Sequence, residues 1–193
     1  MRRATAAARG GGGGAAYLEL EPATIAAVRV EVEGFSLPAL TEWQRMVVSR
    51  SLRFVGSPYV WAGTSERPQQ LFGRTLPGGF DCSGFVWRVY KLQSYAGGAK
   101  LGPVLRGRTA AAMAGEVGPR RRIQPARLAP ADLVFFGQGG PRAKPTQVDH
   151  MGIYAGNGWM IHSSRYGVTL VPLTGWYSAR LAWGRRPLAE AAL

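Results

Sequence analysis

Gly79-Phe80-Asp81-Cys82-Ser83-Gly84-Phe85 stands where a polar stretch ends and an apolar run begins. Beyond it, Phe85, Val86, Val89, Tyr90 and Leu92 form a broad apolar face at helical spacing. A helix is therefore predicted from Ser83 to about Gln93, with Asp81 as its N-cap. This puts the chain's single cysteine, Cys82, at a helix N-terminus. Free N–H groups and the helix dipole favour an anion there, so a lowered thiol pKa and a nucleophilic sulfur are expected. A lone cysteine is more often a small buried apolar residue. Two polar neighbours and a glycine argue instead for a turn near solvent.

A nucleophilic thiol needs a base, and the chain has two histidines, His150 and His162. His150–Ala155 and Trp159–Ser164 read as strands of a hairpin around Gly156-Asn157-Gly158. Parity decides whether the rings share a face. A two-residue loop makes paired residue numbers sum to an odd number and puts the histidines on opposite faces. A three-residue loop pairs Ala155 with Trp159 and Gly152 with His162, leaving His150 diagonal to His162 on one face. The Asn-Gly ending suits the longer loop. Cys82 is then the candidate nucleophile, His150 its base and later acid, and His162 the residue that holds the ring of His150. Asp149 should point to the opposite face and is not taken as the orienting acid. Tyr59, in Ser57-Pro58-Tyr59, is either a packing aromatic or a hydroxyl donor beside the backbone N–H of Cys82.

Outside these segments, residues 1–16 read as a flexible Gly/Ala/Arg tail and residues 17–42 as a linker with a possible strand at Val28, Val30 and Val32. Thr41 caps a helix predicted from Glu42 to about Phe54. Tyr59–Trp61 is extended, residues 62–80 are loop, and residues 94–131 are loop with a short helical piece near Thr109–Ala114. Asp132–Phe136 and Val168–Val171 are further strands, and residues 185–193 read as a C-terminal tail. A helix followed by an antiparallel meander is an α+β pattern.

Composition narrows the functions. A chain of 193 residues with 46% hydrophobic content fits one domain with a core. One cysteine allows no intrachain disulfide and no cysteine-cluster metal site, and neither metal nor cofactor is expected. No run of 18 apolar residues predicts a transmembrane helix. The net charge of +13 favours a polyanionic partner or reflects coding bias. Lys100 to Arg127 holds seven basic residues, one acid and no aromatic, which speaks against nucleic acid.

Further stretches complete a pattern. Gly56-Ser57-Pro58-Tyr59-Val60-Trp61-Ala62-Gly63, the segment around Cys82, Pro130-Ala131-Asp132-Leu133-Val134-Phe135-Phe136, His150-Met151-Gly152-Ile153-Tyr154 and Met160-Ile161-His162 occur in this order. Together they resemble the NlpC-type peptidoglycan endopeptidases, papain-like cysteine peptidases of the bacterial cell wall, over roughly residues 43–184. The resemblance implies a papain-like core, a small antiparallel sheet with the nucleophile helix packed against it. It implies Cys82 as nucleophile, His150 as base, His162 as orienting residue and Tyr59 on the oxyanion side. Asp81, Ser83 and Trp61 are candidate substrate contacts, although capping explains Asp81 equally well.

The implied substrate is the stem peptide of peptidoglycan, commonly at the γ-D-glutamyl–diamino acid bond. The implied location is extracellular or in the wall, although glycines interrupt the N-terminal stretch where a leader would carry its apolar run. Anionic wall polymers are a further expected partner, through the basic loop. Ala62 departs from the glycine often found there, which could narrow the groove. The alternatives are an amidase or acyl transferase on the same fold and a non-catalytic wall-binding module.

Overall fold

The computed structural model describes residues 15–18, 28–31 and 33–193. β1 (Ala15–Leu18) and β2 (Val28–Glu31) pair antiparallel. Ala15 and Ala16, read from sequence as tail, thus belong to a strand. The remainder of the 1–16 tail and Val32 lie outside the described residues.

α1 (Glu42–Leu52) starts at a capping box. The Gln44 N–H donates to Thr41 Oγ1 at 3.3 Å, and the Thr41 N–H donates to Gln44 Oε1 at 3.0 Å. Val47, Val48 and Leu52 are its buried face. α2 (Cys82–Tyr90) begins with Cys82 at N1, and the Asp81 carboxylate caps it by accepting from the Gly84 N–H. It ends before the predicted Gln93, at the C-cap Lys91, whose Nζ donates to the carbonyls of Leu105 (2.7 Å) and Gly102 (3.3 Å). Phe54, Phe80 and Phe85 meet edge to face, with centroids 5.0–6.3 Å apart, and join the end of α1 to the start of α2.

Residues 62–80, expected as loop, contain two small ribbons. β3 (Thr64–Ser65) pairs with β6 (Gly79–Phe80), and β4 (Gln69–Leu71) with β5 (Arg74–Leu76). Strands of two or three residues are too short to leave a period in the sequence. Within 94–131, α4 (Ala110–Gly115) is the expected helical piece, and α3 (Leu101–Val104) is an extra turn.

The main sheet is antiparallel with order β10-β9-β8-β7-β11. Its strands are β7 (Leu133–Gly137), β8 (Val148–Gly156), β9 (Trp159–Ser164), β10 (Gly167–Pro172) and β11 (Leu181–Arg185). Leu133, Phe135, Met151, Ile153, Ile161 and Trp183 join α1 and α2 in the large core. Val134, Phe136 and Met160 bury the other face against Tyr154, Leu173 and Tyr177.

The β8–β9 turn reconciles the parity problem. Gly156 pairs with Trp159 around a two-residue turn, with Asn157 at φ 49° and Gly158 at φ 78°. A bulge at Ala155 then shifts the register to Tyr154↔Met160 and Ile153↔Ile161. The expected face-sharing register is correct, and a short turn plus a bulge produces it, not a three-residue loop. Continuing the register puts Gly152 opposite His162: a Cβ on Gly152 would stand 3.0 Å from His162 Cβ.

β11 and the residues after it correct the C-terminal tail. Arg185 is 2% exposed and donates to Glu116 (2.7 Å), to Glu190 (2.9 and 3.0 Å) and to the carbonyls of Val104 (2.7 Å) and Met113 (3.2 Å). Leu188 and Ala191, on and just after α6 (Pro187–Glu190), are buried in the large core. The sequence conceals this because an arginine reads as surface until its carboxylates are located.

Candidate active site

Four segments converge on Cys82. Tyr59 runs beside Phe80 in a parallel bridge, held by bonds from the Phe80 N–H to the Pro58 carbonyl (3.0 Å) and from the Val60 N–H to the Phe80 carbonyl (3.2 Å). Gly84 lets the first turn of α2 lie against this strand. A Cβ there would fall 1.8 Å from the Gly63 carbonyl oxygen, so any side chain would force the segments apart. On the far side, α2 packs against β8, the strand that carries His150.

His150 and His162 share a face. His150 Nε2 lies 2.7 Å from His162 Nδ1, and the rings stand nearly perpendicular at 88°. This bond uses Nε2 of His150 and leaves Nδ1 as its other basic nitrogen. Phe136, paired with His150 across β7 and β8, packs on the ring at 5.7 Å, and the half-exposed Trp176 closes on it at 6.3 Å. Asp149 points outward to an ion pair with Arg180, as its position in the strand requires.

His162 is 1% exposed. Its Nε2 lies 3.1 Å from the Tyr177 hydroxyl and 3.2 Å from Thr169 Oγ1. Sequence reasoning missed both partners. Thr169 was legible, since it pairs directly with His162 in the β9–β10 register. Tyr177 sits on α5 (Trp176–Arg180), in a stretch with no periodic signal.

Burial dominates the titration. It pushes the Cys82 thiol up to about 11, with the Asp81 charge adding to it, against opposing hydrogen bonds from the backbones of Met151, Ser83 and Cys82. It pulls His150 down to about 4, with Asp149 opposing and Arg180 assisting. His162 falls to about 3, through burial and then the neighbouring His150. Both shifts run against the expected lowered thiol pKa and favour a neutral thiol and a neutral imidazole. Tyr59 is raised by burial and then by the charges of Cys82 and Asp81, so its phenol keeps its proton.

Asp81 and Ser83 are tied into the protein. Asp81 is 8% exposed and accepts from the Gly84 N–H, the Ala62 N–H (2.9 Å) and Ser83 Oγ (3.0 Å). Arg108 binds the same knot, donating to Ser83 Oγ (2.8 Å) and the Ala62 carbonyl (2.9 Å) and pairing with Asp81 at 3.4 Å. No sequence signal singles out Arg108 from its basic surroundings. Ala62 has φ 62°, a left-handed conformation in which a methyl is strained, so glycine's advantage there lies in the backbone. Trp61 is 69% exposed. Among the described residues no three His, Cys, Asp or Glu cluster as a metal site.

The family model described as NlpC/P60 matches residues 56–186, more than half of the chain. The chain belongs to the NlpC/P60 family. It is similar to the gamma-D-glutamyl-L-lysine dipeptidyl-peptidase of Bacillus cereus, with 32% identity over 145 residues, 74% of this chain and 36% of that protein. It is likewise similar to the murein DD-endopeptidase MepH of Escherichia coli, with 32% identity over 64% of this chain and 37% of that one. This NlpC/P60 chain thus spans little more than a third of the length of these relatives. Among solved structures, an NlpC/P60 family protein from Bacillus cereus superposes with a TM-score of 0.56 at 29% identity, covering 79% of this chain and 41% of that one. RipD of Mycobacterium tuberculosis, described as a non-catalytic NlpC/p60 domain protein adapted to peptidoglycan binding, has the same fold at 23% identity, with a TM-score of 0.53 over 76% of this chain and 98% of that one.

Proposed function

We propose that this chain is the catalytic domain of a peptidoglycan hydrolase, a cysteine endopeptidase acting on stem peptides. The observation that carries this reading is the 2.7 Å bond between His150 on β8 and His162 on β9, two strands that pack against α2, whose first residue is Cys82. The names of its relatives point to wall peptides as the substrate class.

In this reading Cys82 Sγ attacks the scissile carbonyl as its proton passes to His150 Nδ1. Burial favours the neutral form of both groups, so in this reading proton transfer accompanies attack. The oxyanion lies against the Cys82 N–H, at the first position of α2, and the Tyr59 hydroxyl. His150 then protonates the leaving amine, a thioester remains on Cys82, and water activated by His150 hydrolyses it. The finer proposal for the bond is γ-D-glutamyl–diamino acid. Asp81 and Ser83 act chiefly by holding Cys82 in place, and Trp61 offers an exposed ring to the substrate. The proposed location is the cell wall or outside the cell. No described helix is long and apolar enough to cross a membrane.

The test is digestion of purified peptidoglycan, with released fragments identified by mass. The intact protein should liberate peptides cut at one bond type, and Cys82→Ala should liberate none. Binding of wall material without release by either protein would favour a non-catalytic binding module. Release of an intact stem peptide from its sugar would favour an amidase.

A further inference from the structure

We propose that Thr169 and Tyr177 are positioning residues that make the Nε2–H tautomer of His162 accessible and, through it, that of His150. The proposal rests on the reading above, in which His150 Nδ1 is the base.

A neutral imidazole has one N–H and one lone pair, so the Nε2–Nδ1 bond between the two rings can be made in two ways. In one, His162 carries its proton on Nδ1 and donates it to His150 Nε2. His150 must then carry its own proton on Nδ1, where it cannot accept one from Cys82. In the other, His150 donates from Nε2 to His162 Nδ1, His162 carries its proton on Nε2, and His150 Nδ1 is a free base. The second arrangement needs an acceptor at His162 Nε2, since that ring is 1% exposed and a buried N–H without a partner is costly. The hydroxyls of Thr169, at 3.2 Å, and Tyr177, at 3.1 Å, meet this need. They could also donate to a bare Nε2, but without them the second arrangement strands a buried N–H and the first only a lone pair, so their loss favours the first. When His150 becomes an imidazolium during reaction, its Nε2–H bond to His162 is unchanged, so no proton need move on His162. Two different elements, β10 and α5, deliver these oxygens to one nitrogen.

The direct test uses the intact protein with ¹⁵N-labelled histidine, whose only ring signals come from His150 and His162. Long-range ¹H–¹⁵N correlation at neutral pH should find both ring protons on Nε2. A proton on His162 Nδ1 overturns the proposal. In a second test, the double variant T169V/Y177F should move the His162 proton to Nδ1 and lower kcat about tenfold or more at unchanged KM, within the range a general base supplies. T169S/Y177F should recover most of that loss, because a serine hydroxyl restores an acceptor.

In an His162→Asn background the same hydroxyl removals should cost less than about twofold, since an amide oxygen accepts from His150 without a tautomer to choose. An equal loss in both backgrounds assigns the two residues a merely structural role and overturns the proposal. Absence of wall-peptide cleavage by the unaltered protein would sink the functional reading alone, because the NMR result stands independently of activity.

Discussion

Two buried polar clusters solve the same problem in opposite ways. Around Arg185, a permanent charge is taken out of water and compensated by two carboxylates, Glu116 and Glu190, and two carbonyls. Around His162, no carboxylate among the described residues hydrogen-bonds the rings, and the pair is held by hydroxyls and by one imidazole against the other. The first arrangement fixes charge and ties the C-terminus to the 104–116 segment. The second favours neutral groups, as the proposed mechanism asks of a base that is charged only during turnover. A buried charge without a counter-ion costs several kcal/mol, so a neutral pair suits a site that is charged only transiently.

The largest expected effects separate the clusters by what they damage. His150→Ala should lower kcat about 10²–10⁴-fold, the range a general base supplies, with little change in the urea midpoint. Arg185→Ala should do the reverse. It strands two carboxylates and should cost about 3–5 kcal/mol in urea unfolding, as broken buried pairs do, leaving turnover per folded molecule unchanged. If His150→Ala unfolds the protein, or Arg185→Ala abolishes turnover at full stability, the contrast is broken.

Acidification should sharpen it. Burial holds His150 and His162 near 4 and 3, below their ordinary 6.5. Between those values the unfolded chain binds protons that the native state refuses, so stability falls as pH drops through about 6.5 and continues to fall toward the folded values. The slope is at most about 1.4 kcal/mol per pH unit for each histidine. Thermal melts across this range should show the decline, and His162→Asn should flatten it; an unchanged slope in that variant would deny the buried neutral pair.

A smaller effect concerns the thiol. With Cys82 pushed up to about 11, its alkylation by iodoacetamide should accelerate with an inflection above that of free cysteine, near 8.5. An inflection below neutrality would mean a thiolate–imidazolium pair at rest.

The smallest expected effect lies on the surface. Arg120 and Arg121 are exposed on a short 3₁₀ turn, whereas Arg122 stacks 3.7 Å over Trp183 and belongs to the packing. Replacing Arg120 and Arg121 by Gln should weaken binding to intact anionic wall material, most at low salt, and barely alter turnover of a small soluble stem peptide. Loss of peptide turnover instead would make these residues part of the cleft.

The sequence by itself determined what depends on short range. Asp81 and Thr41 announce their caps because the bonds close within three residues. The α2 face follows from a 3.6-residue period, and the shared face of His150 and His162 from strand parity, which survived an error in the turn because a bulge restored it. Tertiary structure alone decided the rest. Arg185 meets Glu116 across 69 residues, Arg108 meets Asp81 across 27, and the Tyr177 hydroxyl reaches His162 from a separate element. It also shifted the balance at Cys82, since helix position argues for a thiolate while burial, and then the Asp81 charge, argue against it. Periodicity and capping are properties of adjacent residues and can be read from them. Desolvation and long-range polar partners are properties of the packed interior, and no local pattern encodes them.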